Sequence, residues 1–147
     1  MEPTTAFWYL STITQASAAI FGLLLVAGIF FIENVLKISK QYADIQNKEA
    51  RKMAEIFVPG TKPFSLIVVI FICAIYAGFI TILCSILALR EIGNVVTPNA
   101  DYLITNSTFL FFIFIILTFL FAMMSLMSLI SVAVPSRRER SEKQDPE

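Results

Sequence analysis

The sequence predicts an all-α integral membrane protein with three transmembrane helices and a cytoplasmic interfacial amphipathic helix. Hydrophobic residues make up 57% of the 147, and the mean hydropathy is +0.78, too apolar for a soluble domain of this length. Residues 7–32, 64–89 and 108–134 contain no charged side chain, and each run exceeds the roughly 20 residues that cross about 30 Å of hydrocarbon. Ten of the eleven basic residues fall on one side of these runs, so the formal net charge of zero conceals a strong asymmetry.

The first span, about 7–32, opens with five polar residues, Ser11, Thr12, Thr14, Gln15 and Ser17. Ala16-Ser17-Ala18 has the small-x-small form of a signal cleavage site, but no basic residue precedes the run and the apolar part continues well past it. It reads as a retained span. On a helix, Ser11, Gln15, Ala18, Ala19, Gly22, Val26, Ile29 and Glu33 fall within about a third of the circumference, with Ile13, Ile20, Leu24 and Phe31 on the far side. Such a stripe is expected to face something other than lipid.

After it, "ENVLKISKQYADIQNKEARKMAEIFVPG" places Val35, Ile38, Tyr42, Ile45, Met53, Ile56 and Phe57 on one face, and Lys37, Lys40, Asp44, Lys48, Arg51, Lys52 and Glu55 on the other. The chain must return to the bilayer by Phe64. A break is therefore expected between about Glu33 and Lys40, with an interfacial helix over about 40–57 ended by Pro59-Gly60. Lys40, Lys48, Arg51 and Lys52, with Arg137 and Arg138 further on, are expected to contact anionic lipid headgroups.

The second span, about 64–89, carries a small-residue stripe, Ala74, Gly78, Thr81, Ser85 and Ala88, suited to packing against a neighbour. Its Cys73 and Cys84 lie three turns apart, roughly 16 Å along the axis, too far to bond, and serve as small packing residues. Gly93 and Pro98 break the following loop, and Asn99 or Asp101 can cap the third helix. Asn106-Ser107-Thr108 matches a glycosylation acceptor but abuts the third span, about 108–134. That span is rich in phenylalanine, and Met123, Met124 and Met127 read as flexible packing rather than a soft-metal site. Residues 1–134 form one transmembrane domain, and 135–147 a disordered cytoplasmic tail. With three spans, the positive-inside rule places the N-terminus outside and the C-terminus in the cytoplasm, in the plasma membrane.

The segments Gln15-Ala16-Ser17-Ala18-Ala19, Gly22-Leu23 and Val26-Ala27 resemble the first span of many uncharacterised small prokaryotic multi-pass membrane proteins that open with a "TIAQ-SAA-GL" type segment. The resemblance covers about one helix and implies no activity. The helix is also similar in passing to the small-residue pore helix of store-operated calcium channels, whose four-span layout and acidic filter are not matched, so no residue is carried across.

The chain has no histidine, no charge inside a span and no glycine-rich phosphate loop, which argues against hydrolytic triads, His-ligated metals, proton relays and voltage sensors. Neither an enzyme nor a cofactor is expected, and the partners implied are the lipid bilayer, copies of the same chain in a homo-oligomer, or another membrane protein, with no nucleic acid. Two uses of the first-span stripe compete. One is a helix–helix seam, in which Ala18 and Gly22 permit close approach. The other is a homo-oligomeric channel lined by Ser11, Gln15, Ala18, Gly22, Val26, Ile29 and Glu33, with a Glu33 ring favouring cations. Glu33 can instead form a simple i,i+4 pair with Lys37. The functional expectation is the pore; the alternative is a non-conducting scaffold or accessory subunit bound to another membrane protein.

Overall fold

The computed structural model describes residues 2–42, 48–92 and 97–142, with 49, 50 and 131–142 described by backbone alone. Four helices follow in order: α1 Pro3–Gln41, α2 Lys48–Glu55, α3 Lys62–Glu91 and α4 Pro98–Glu142, with no strand among the described residues. Helices α1, α3 and α4 up to Ile130 are long and apolar enough to cross a membrane. Large apolar side chains such as Leu23, Phe79, Phe112 and Phe119 are exposed along all three. Water would penalise so continuous an apolar surface, so the chain reads as a membrane protein.

The chain divides into two compact units, Met1–Leu25 with Phe71–Leu120, and Val26–Ile70 with Phe121–Glu147. In the first, Ala6, Leu10, Ala88 and Ile104 form a buried cluster flanked by Leu89, Ile92 and Leu103. The small stripe of α3 is buried throughout: Ala74, Thr81, Ser85 and Ala88 are fully enclosed, and Gly78 lies under an aromatic ring. A Cβ on Gly78 would meet the Phe114 ring at 2.7 and 2.8 Å and Phe21 at 3.0 Å. Small residues here admit large rings from the neighbouring helices, the close approach that dispersion-driven packing requires.

In the second unit Phe31 is the hub, with ring centroids 5.5 Å from Phe121, 6.3 Å from Phe57 and 6.4 Å from Phe64. Arg51 stacks over the Tyr42 ring at 5.3 Å. Tyr42 lies eleven residues past Phe31, about 16 Å along a helix, so α2 runs back beside the end of α1 from Tyr42 toward Phe31. This corrects the expected break between Glu33 and Lys40. No glycine or proline interrupts that stretch, α1 stays helical through Gln41, and buried Asn34, Val35 and Ile38 hold it in contact. Within the stretch expected as a helix over about 40–57, the described part is α2, with Ala54 buried and Lys48, Arg51, Lys52 and Met53 exposed; residues 43–47 lie outside the described ones.

Backbone chemistry sets the helix starts. Thr61 N–H donates to the Val58 carbonyl at 3.3 Å across Pro59-Gly60, and Gly60 has φ +94°, the pattern of a type II turn. Thr61 Oγ1 then accepts the Phe64 N–H at 3.4 Å and caps α3. The α4 cap is Thr97, whose Oγ1 accepts the Ala100 N–H at 3.2 Å with Pro98 at the first helical position. This replaces the expected Asn99 or Asp101 cap; Asp101 instead lies in the first turn, where a carboxylate complements the helix dipole. At its other end α4 stays helical to Glu142, past Val134 and through Arg137 and Arg138, although Pro135 has no N–H to donate to the carbonyl one turn back.

Replacing Gly78 with valine should destabilise the chain by about 1–3 kcal/mol, because crowding against two rings outweighs the gain in helix propensity. Unfolding in detergent–lipid micelles tests this, and Phe114→Leu in the same chain should recover part of the loss.

Candidate functional site

The buried positions of α1 are Ala6, Leu10, Ile13, Ser17, Leu24, Gly28, Phe31, Asn34, Val35 and Ile38. At 100° per residue they centre roughly half a circumference from the small and polar stripe. Gln15, Ala18, Ala19, Gly22, Val26, Ile29 and Glu33 are all exposed, and Ser11 is half-buried. The stripe thus contributes no seam within the chain: a Cβ added at Gly22 would have no neighbour within 4 Å. Ile13, Leu24 and Phe31, on its far side, do the packing instead.

The hydroxyls near the start of α1 divide by how their polar atoms are met. Thr12 and Thr14 donate to the Trp8 and Leu10 carbonyls, each at 2.9 Å, so the helix satisfies them itself. Tyr9 O–H lies 2.9 Å from Thr108 Oγ1. Since Thr108 donates to the Ile104 carbonyl at 2.8 Å, Tyr9 is the donor. Gln15 reaches only Ser11 Oγ, at 3.5 Å, the long limit of a hydrogen bond. Its carboxamide and the exposed Glu33 carboxylate are the polar groups of the stripe with most bonding capacity left for a neighbour.

Two features escape the sequence pattern. Asn34 is buried, and its Nδ2 donates to Ser128 Oγ at 3.4 Å, while Ser128 donates to the Ser125 carbonyl at 2.6 Å and Ser125 to the Ala27 carbonyl at 3.5 Å. An asparagine two residues past a long apolar run, with serines three apart in the third span, was the available signal. In addition, Phe7, Trp8, Tyr9 and Tyr102 are exposed at the starts of α1 and α4. Aromatic side chains of this kind favour the boundary between hydrocarbon and water.

Among the basic residues, Lys40, Lys48, Arg51 and Lys52 are exposed, and Arg137 and Arg138 lie near the end of α4. Glu33 and Lys37 are both exposed, one turn apart. Asn106-Ser107-Thr108 lies inside α4 with Ser107 fully buried, a poor substrate for glycosylation. Cys73 and Cys84 are free. The described residues hold no group of three or more His, Cys, Asp or Glu side chains suited to a metal ion. No protein-family model matches the chain, nor does any curated protein or solved structure match it significantly.

Because Gly22 faces open space, Gly22→Ala should leave the stability of the dissociated chain unchanged or raise it by up to about 1 kcal/mol. Detergent unfolding at high dilution measures this. A clear loss would mean that Gly22 packs within its own chain.

Proposed function

We propose that the chain assembles with copies of itself into a membrane channel lined by α1. The observation that carries this reading is the outward stripe of Gln15, Ala18, Gly22, Val26, Ile29 and Glu33, together with half-buried Ser11, on a helix whose own packing uses the opposite side. Gln15 in hydrocarbon would lack partners, and a second copy or a water-filled axis supplies them. Three helices cannot enclose a conduit alone, so the pore forms between copies. In that arrangement Ser11 and Gln15 form a hydrophilic vestibule, Val26 and Ile29 an apolar constriction, and Glu33 a carboxylate ring that favours cations.

The aromatic residues at the starts of α1 and α4 belong, on this reading, to the outer interface, and the basic residues of α1 and α2 to the cytoplasmic one. The N-terminus then lies outside and the C-terminus inside the plasma membrane. Lys40, Lys48, Arg51 and Lys52 face anionic headgroups there, joined by Arg137 and Arg138 at the end of α4. On this reading the short α2, whose Arg51 stacks on Tyr42 and which leads into Phe57 against Phe31, acts as a lever on the inner end of α1.

Purified protein in liposomes should pass monovalent cations, and Gln15→Leu with Gly22→Leu should change the flux severalfold. If no flux is seen under tension, calcium or voltage, the pore reading fails. The same stripe would then serve as the docking seam of a non-conducting accessory subunit.

A further inference from the structure

The three charge-free runs, 7–32, 64–89 and 108–134, are 26, 26 and 27 residues long. Each lies within one unbroken helix, α1, α3 or α4, and none contains a proline that would kink it. At 1.5 Å per residue each is about 39 Å long, nearly a third more than the roughly 30 Å of hydrocarbon in a typical bilayer. The chain does not cover the ends of these runs itself. Trp8 and Ile32 on α1, Leu66 and Leu87 on α3, and Phe109 and Ile130 on α4 are all exposed.

A long apolar helix can protrude from a bilayer, tilt within it, or stand in a thicker one. Protrusion would set exposed leucine, isoleucine and phenylalanine side chains in water, which the hydrophobic effect opposes. Tilt alone goes only part of the way. To lie within about 30 Å, a run of about 39 Å must lean by about 40°, the limit of the usual range, and within the thinner endoplasmic reticulum bilayer, about 27 Å, by about 45°. At the average tilt of about 20° it spans about 37 Å, which comes nearest to the thickness of about 33 Å found in sterol- and sphingolipid-rich plasma membrane.

We infer that the lipid-facing surface of this chain selects a thick bilayer, one whose hydrocarbon reaches about 33–37 Å and is built from long acyl chains. Equal run lengths are what such a slab imposes, because every helix that crosses it meets the same two surfaces. In a thin bilayer all three helices are too long at once, so their mismatch costs add. The inference rests on the chain being a membrane protein and concerns the surface it turns to acyl chains. It does not depend on the pore.

Trp8 is the single tryptophan of the chain and is exposed at the start of the first run, so its fluorescence reports the lipid beside it. The test places the full chain in vesicles of dibrominated phosphatidylcholine mixed with dimyristoleoyl, dioleoyl or dierucoyl phosphatidylcholine. Relief of Trp8 quenching measures how well each lipid displaces the brominated one from the protein surface. Dierucoyl, the longest, should displace it severalfold better than dimyristoleoyl, the shortest, with dioleoyl between them. Leu66→Lys together with Leu129→Lys, both at exposed positions, cuts the runs of α3 and α4 short and should shrink the advantage of the longest lipid. Equal displacement by all three lipids, or the strongest by the shortest, overturns the inference. So does a chain-length profile that the double variant leaves unchanged.

Discussion

In an apolar medium a polar atom must find its partner within the protein, because hydrocarbon offers none. That constraint orders most of this structure. Thr12, Thr14, Thr81 and Thr105 return their protons to the carbonyl one turn back. Tyr9 reaches Thr108, and Asn34 reaches Ser128. Gln15, which finds only a long contact to Ser11, lies on the outward face. Polar groups that are met inside stabilise the chain by itself, and those that are not point toward what the chain binds.

The same constraint explains which parts of the molecule were legible in the sequence. Three charge-free runs are unambiguous, because length and composition alone decide whether a helix can cross a bilayer. The small stripe of α3 was also readable, since Ala74, Gly78, Thr81, Ser85 and Ala88 leave space that Phe21 and Phe114 fill. The stripe of α1 has similar residues, yet Gly22 is open and Leu24 and Phe31 are buried. Both faces of that helix can pack in hydrocarbon, so the pattern alone could not say which one its own chain uses.

Boundaries were harder, for a different reason. The return to the bilayer by Phe64 implies a break between about Glu33 and Lys40, but that stretch includes good helix formers and holds no glycine or proline that would stop the helix. Val35 and Ile38 are buried, Tyr42 takes Arg51 on its ring, and α1 therefore runs on to Gln41. Thr97 was passed over as a cap because Pro98 was read as a breaker rather than as a first helical residue. Asn34 lies in the connection between the first two spans, where the apolar pattern does not include it, yet one long-range hydrogen bond gives it a place in the core.

The central claim is that the outward face of α1 meets copies of the same chain. Particle imaging of the protein in lipid nanodiscs tests it most directly, because it reports subunit number and the position of α1 together. The account predicts a closed ring of four or more subunits with Gln15, Gly22 and Glu33 toward the axis. A monomer, or a ring with this face of α1 turned to lipid, would contradict it.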